Sequence, residues 1–226
     1  MLRFLVHGFG ILAAVLPQKR GATCSAAGAV VSIPDPTLDT PLGAAQDQET
    51  LVLAGGCFWG IQAVFEHVKG VIKATSGYAG GAADTAQYKT VCTGRTGHAE
   101  CVQVSYDPSQ ISCGGLLKVF FSVAHDPTQL NRQGPDIGTQ YRSAIFYSSE
   151  DQKRIAQAYV DQLNQAGVFQ RPIVTQVAAL KAFYPAEDYH QDYAAQHPEN
   201  PYIAINDLPK VDHLRKHFSE YYVEKK

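Results

Sequence analysis

The sequence predicts an α/β (α+β) fold, a two-layer sandwich of helices on a mixed sheet with an irregular, aromatic C-terminal extension. Three observations carry this. Strand-length apolar runs alternate with apolar residues at helical spacing, in the order β-α-β-β-α-β and then a further helix and strand. Glycines punctuate the boundaries between them, as at Gly55-Gly56, Gly70 and Gly167. The chain has 226 residues, 45% of them hydrophobic, enough for one sizeable core. The first six elements match the ferredoxin-like, split β-α-β arrangement, with helices on one face of the sheet.

In order, Thr50 to Ala54 (TLVLA) is a short apolar strand. Phe58, Ile61, Phe65 and Val68 recur at spacings of three and four, one face of a helix that Gly70 closes. Val71 to Tyr78 alternates as a strand, and Ala99 to Tyr106 is another. A helix runs from Ser112 through Leu116, Val119, Phe120 and Val123. Tyr141 to Tyr147 is a strand, and Asp151 to Gln165 a helix capped by Ser148 and closed by Gly167. Pro172 to Ala178 is the last strand, and the aromatic tail from Phe183 onward is helical or looped.

Residues 49–226 therefore form one catalytic-sized domain. Residues 1–28 are a signal-like or disordered leader, whose apolar run from Phe4 to Pro17 is short for a membrane span. The leader predicts an exported or periplasmic protein; the alternative is a cytoplasmic one. Residues 29–48, rich in Ala, Pro, Thr and Asp, read as a linker. A net charge of −2 without a basic run argues against nucleic acid as a partner. Five cysteines with no C-x-x-C pair fit neither a disulfide framework nor a structural zinc site. Nothing in the sequence signals an oligomer, and a monomer is expected.

One thiol stands out. Ala54 to Gly60 (AGGCFWG) puts Cys57 between two glycines and two rings, at the first turn of a helix after a strand. There the helix dipole and free N–H groups lower a thiol's pKa. The glycines permit positive φ and leave space for a substrate, while Phe58 and Trp59 wall an apolar pocket. The blander alternative is a small buried cysteine beside a core tryptophan.

A second cluster is TGRTGHAE, residues 93–100. Glu100 begins a strand, so its side chain and that of Cys101 point to opposite faces. Held among aromatic rings, Glu100 stays protonated and can act as a general acid. His98-Ala99-Glu100 matches half of a zinc deaminase signature, but the P-C-x-x-C half is missing and no metal site is expected. A third cluster, Gly134 to Ser143, offers Asp136 and Tyr141, and Tyr78 lies beside permissive glycines. A reactive thiol, a protonated acid, phenols and an aromatic pocket suit attack on a sulfoxide. They suit acyl transfer by a cysteine hydrolase equally well.

GCFWG, SGYAGG, VCTGRTGHAE, HDPTQLNRQGPDIGTQYRSAIFY and FYPAEDYHQDY together resemble the A-type peptide-methionine sulfoxide reductases, over about Leu51 to Phe218. The resemblance implies an oxidoreductase for protein repair under oxidative stress. Such an enzyme reduces the S epimer of methionine sulfoxide, free or in proteins, to methionine. It implies Cys57 as nucleophile, passing through a sulfenic acid, and Glu100 as proton donor. Tyr78, Asp136 and Tyr141 would bind the sulfoxide oxygen, and Phe58 and Trp59 the methyl group. No bound cofactor is expected, only an external thiol reductant such as a thioredoxin- or glutaredoxin-like protein.

Many members of that family resolve the sulfenic acid with a cysteine near the C-terminus, and this chain has none after Cys113. Direct reduction from outside is expected, with Cys113 and Cys24 as the possible internal resolving residues and Cys92 packed. A hydrolase would need a histidine base for Cys57, and His98, His125 and His190 lie in no pattern that supplies one. A non-catalytic module that recognises oxidised methionine would bind without turnover.

Overall fold

The computed structural model describes residues 33–43 and 47–225. Strand β1 (Glu49–Gly55) serves both faces of the sheet. Leu51 and Leu53 enter the larger core, while Val52 and Ala54 enter a smaller one behind it. Helix α1 (Phe58–Glu66) buries Phe58, Ile61 and Phe65 as their spacing predicts. Val68 sits past its end, bridged to Tyr222. Strand β2 (Val71–Ala79) follows, then a short helix α2 (Tyr88–Val91) and strand β3 (Ala99–Tyr106). Helix α3 (Cys113–Val119) runs on into a wider turn over Phe120–Ala124. A small hairpin, β4 (Arg132–Gln133) and β5 (Asp136–Ile137), leads through the turn Thr139–Tyr141 to strand β6 (Ser143–Tyr147). Helix α4 (Glu150–Gln165), strand β7 (Gln176–Ala179) and strand β8 (Phe183–Pro185) complete the sheet.

The six strands lie in the order β7-β6-β1-β3-β2-β8. β6 and β7 are parallel and the remaining pairs antiparallel, so the sheet is mixed. Its larger core joins Leu53, Val102 and Val104 to Ile61 of α1, Leu117 of α3 and Leu163 of α4. The other face carries mostly small residues, Ala54, Ala99, Cys101 and Ala144, under Leu180 and Phe183. Small side chains let this edge segment lie close to the sheet without a helix between them.

The structure departs from the sequence reading in three places. Residues 33–43, expected within a linker, pack on the domain. Ile33 joins the core, Tyr159 donates to the Pro34 carbonyl at 2.8 Å, and Asp39 accepts from Ser112 and from the Gly114 amide at the start of α3. Composition alone hid these specific polar anchors. The C-terminal extension is less irregular than expected, carrying β8 and helices α5 (Tyr193–Gln196), α6 (Pro201–Asn206) and α7 (Leu208–His217). Tyr141 lies in the turn before β6, and the cap of α4 is Ser149, whose hydroxyl accepts from the Gln152 amide. Ser148 instead donates to the Gln152 side chain. Among the described residues no helix is long and apolar enough to cross a membrane. Residues 1–28, with Cys24, lie outside the described residues.

Candidate active site

The chain leaves β1 at Gly55, turns at Gly56, and presents Cys57 as the N-cap of α1. Gly56 has φ +102°, a region that a side chain disfavours. The space beside both glycines is not left open for a substrate. A Cβ on Gly56 would stand 2.6 Å from Gln133, and one on Gly55 would stand 2.9 Å from the His125 ring. Gln133 is itself tied at both ends of its amide to the Asp126 backbone, at 3.0 and 3.1 Å. The glycines therefore let the 125–133 loop close on the turn that aims the thiol.

Glu100 reaches the same point from β3. The register sets it opposite Tyr78 of β2, on the helix-facing side of the sheet. Cys101 faces the other way, its thiol donating to the Gly77 carbonyl in the smaller core. Glu100 is 1% exposed, and its Oε2 accepts from the Phe58 amide at 3.2 Å, at the first turn of the helix that carries Cys57. Burial raises its carboxyl to about 8, with the Phe58 N–H pulling against the rise and the Asp136 carboxylate adding to it. Below that pH it keeps its proton.

Cys57 behaves otherwise than its place on the helix predicts. Burial pushes its pKa well above the usual thiol value, and the Glu100 and Asp207 carboxylates push it further. The Trp59 amide and the Lys210 ammonium work against the rise and lose. With the side chain only 9% exposed, desolvation outweighs the helix terminus. At rest Cys57 is a thiol.

The aromatic residues divide. Trp59 is half-buried, stacked on Tyr193 at 4.0 Å and edge-on to Tyr202, with its Nε1 donating to His190 Nδ1 at 3.2 Å. Phe58 is fully buried, its ring 5.8 Å from that of Tyr78 and 5.1 Å from that of His190. The Tyr78 hydroxyl donates to Glu187 at 2.9 Å, and the other oxygen of Glu187 accepts from the Tyr88 amide. Asp136 accepts a short hydrogen bond from Tyr202. Tyr141 is half-buried, and burial, followed by the Glu100 and Asp136 carboxylates, holds its hydroxyl protonated.

Sequence reasoning weighed His190 only as a base and gave no role to Tyr193, Tyr202 or Glu187; these four fix Trp59, Asp136 and Tyr78 from the C-terminal extension. Their signals were the FYPAEDYHQDY motif, which holds Glu187, His190 and Tyr193, and for Tyr202 the density of aromatic residues after Phe183. The other two histidines weighed as bases, His98 and His125, hold structure together. His98 bonds the Gly81 amide and the Ala82 carbonyl, and His125 bonds the Phe120 carbonyl and the Ser143 hydroxyl. Burial lowers His125 to about 4, so it stays neutral. Among the described residues no group of three His, Cys, Asp or Glu side chains could hold a metal.

Of the two thiols named as internal partners, Cys113 lies far along the fold from Cys57. It starts α3 beside Asp39 and Glu49, at the opposite end of β1 from Cys57. That strand has seven residues, about 20 Å of chain, whereas a disulfide needs Cα atoms within about 7 Å. Burial also pushes Cys113 up to about 12. Cys92, expected to be packed, is exposed at the end of α2.

A family model described as "Peptide methionine sulfoxide reductase" matches residues 49–222. The chain is 60% identical over 182 residues to a Mesorhizobium japonicum protein named peptide methionine sulfoxide reductase MsrA 2, covering 80% of this chain and 93% of that one. It is 52% identical over 190 residues to a Synechocystis protein of the same name, covering 83% and 89%. The solved methionine sulfoxide reductase A of Corynebacterium diphtheriae superposes with a TM-score of 0.58 at 36% identity, covering 75% of this chain and 88% of that one.

Proposed function

Since the chain belongs to the A-type peptide methionine sulfoxide reductases and reduces methionine sulfoxide to methionine in protein repair, we propose that Cys57 is its nucleophile and Glu100 its proton donor. The observation that carries the assignment is Glu100. It is a buried carboxyl holding its proton up to about pH 8, anchored to the first amide of the helix that Cys57 caps. The order β6-β1-β3-β2 of the central strands supports the ferredoxin-like reading of the domain.

Glu100 gives its proton to the sulfoxide oxygen as the Cys57 sulfur attacks the substrate sulfur. The thiol proton replaces the one Glu100 has given. The substrate sulfur is reduced by two electrons, the oxygen and its proton end on Cys57 as a sulfenic acid, and methionine leaves. No net proton is taken up, which suits a site where both partners start neutral. Trp59, clamped between Tyr193 and His190, supplies the apolar wall for the methyl group, with Phe58 as its backing. Tyr141 donates to the sulfoxide oxygen. Tyr78 joins it by exchanging Glu187 for substrate, and Asp136 acts through Tyr202.

Two outside thiols return Cys57 to the thiol, forming their own disulfide and water, and a thioredoxin- or glutaredoxin-like dithiol fits this role. The exposure of Cys92 favours a second route, in which its thiol condenses with the sulfenic acid before the outside reductant acts. The leader supports export of the enzyme, and oxidised proteins outside the cytoplasm are then its substrates.

A single fixed methyl wall opposite fixed donors accepts one configuration at sulfur. With racemic methionine sulfoxide and excess dithiothreitol, consumption is expected to stop at half, leaving the R epimer. Consumption of both epimers at similar rates would remove the S-specific reading.

A further inference from the structure

Gly60 lies three residues after Cys57, on the same face of α1 and one helical turn along it. That face is covered by the start of α7. A Cβ on Gly60 would collide with Asp207 Oδ1 and come within 2.7 Å of Lys210 Nζ. Lys210 Nζ pairs with Asp207 Oδ1 at 3.2 Å. Asp207 is 0% exposed, and its second oxygen has no hydrogen-bond partner among the described residues. A buried carboxylate held by one lysine, with an oxygen left bare, is a net cost to folding that packing does not require. Its position above the helix turn that carries the reacting sulfur gives it another use.

We infer that the Asp207–Lys210 pair is an electrostatic regulator of Cys57, in which Lys210 is the counter-charge for the thiolate and Asp207 both holds and limits it. The inference rests on Cys57 as the nucleophile. Both residues are positioning residues, acting through Cys57 rather than on substrate. The charged and titratable groups around the sulfur are Glu100 from β3, Asp207 and Lys210 from the C-terminal helices, and the phenols of Tyr88, Tyr141 and Tyr202. Asp136 and His125 face the pair from the loop side. Lys210 is the cation that acts on the sulfur among these groups, and Asp207 opposes it. This chain carries no cysteine in its C-terminal helices; those helices bring a charge pair to the nucleophile instead.

The test is the pH dependence of Cys57 alkylation by iodoacetamide, read by mass spectrometry in a Cys92→Ser background. Lys210→Met is expected to raise the midpoint by about one pH unit, cutting alkylation at a fixed pH below it about tenfold. Asp207→Asn is expected to lower the midpoint, and Lys210→Arg to keep it near the parent's. Turnover at saturating substrate should fall in Lys210→Met with KM little changed. Opposite shifts from the two members of one ion pair are not produced by a structural clasp. Shifts of the same sign, or no shift in folded variants, would overturn the inference. Should Lys210→Met fail to fold, the sign of the Asp207→Asn shift decides alone. These titrations read Cys57 whether or not it turns over, so their failure is distinct from failure of the nucleophile assignment, which Cys57→Ser tests.

Discussion

With serine in place of Cys57, the protein is expected to fold and bind substrate but to release no methionine, a loss of turnover to background. Serine differs by one atom at a position 9% exposed, so the packing of Gly56, Gln133 and α1 survives. A hydroxyl in that buried site costs about 1–3 kcal/mol at most. It cannot take the sulfoxide oxygen, because the reaction needs an atom that can be oxidised by two electrons, and a serine oxygen cannot. Steady-state assays with dithiothreitol, alongside a thermal melt to verify folding, make the comparison. Turnover within tenfold of the parent would falsify Cys57 as the nucleophile.

Replacing Glu100 with glutamine is expected to slow turnover by ~10²–10⁴ while making the protein more stable at neutral pH. Glutamine keeps an oxygen for the Phe58 amide and fills the same volume, but it has no proton to give. In the parent, activity should decline as pH rises through about 8, where Glu100 loses its proton. In the variant that limb should vanish. The stability effect follows from the same raised pKa. Burial favours the protonated carboxyl, so the folded state is most favoured below the ordinary value of 4.5, and that advantage is lost as pH rises toward about 8. At pH 7 the unfolded chain has ionised Glu100 and the folded one has not, a cost of about 3 kcal/mol. Urea titrations should show the variant more stable by that order at pH 7 and the difference closing near pH 4. An equally stable or less stable variant at pH 7 would mean that Glu100 carries its charge when folded, and the general-acid role would fall with it.

The proposed pair, Cys57 and Glu100, could be singled out in the sequence because each residue sits at an element boundary that short-range signals mark. Gly55-Gly56 ends β1, Cys57 caps α1, and Glu100 is the second residue of β3, on the side opposite Cys101. The thiol's charge state was not legible. Helix position is a local property, whereas what overrides it is burial, to which the Glu100 and Asp207 carboxylates, 43 and 150 residues further along, add. The support of the pocket was hidden for the same reason. Tyr202 and Asp136 are 66 residues apart, Trp59 and His190 131, and no periodicity links them. Ile33 and Asp39 were misread because composition counts apolar residues and cannot see one carboxylate capping α3.

The central claim, that Cys57 itself takes the oxygen from the sulfoxide, is met most directly by one turnover without reductant. The reduced protein is mixed with S-epimer methionine sulfoxide. Methionine formed, thiols lost and the site of oxidation are then measured per chain, in the parent and in Cys92→Ser. One methionine per chain is expected, with Cys57 trapped as a sulfenic acid by dimedone in Cys92→Ser. In the parent, one thiol lost means that an outside dithiol meets that acid directly, and two mean that Cys92 meets it first. Methionine formed with Cys57 unmodified in both proteins, or no methionine at all, would contradict the account.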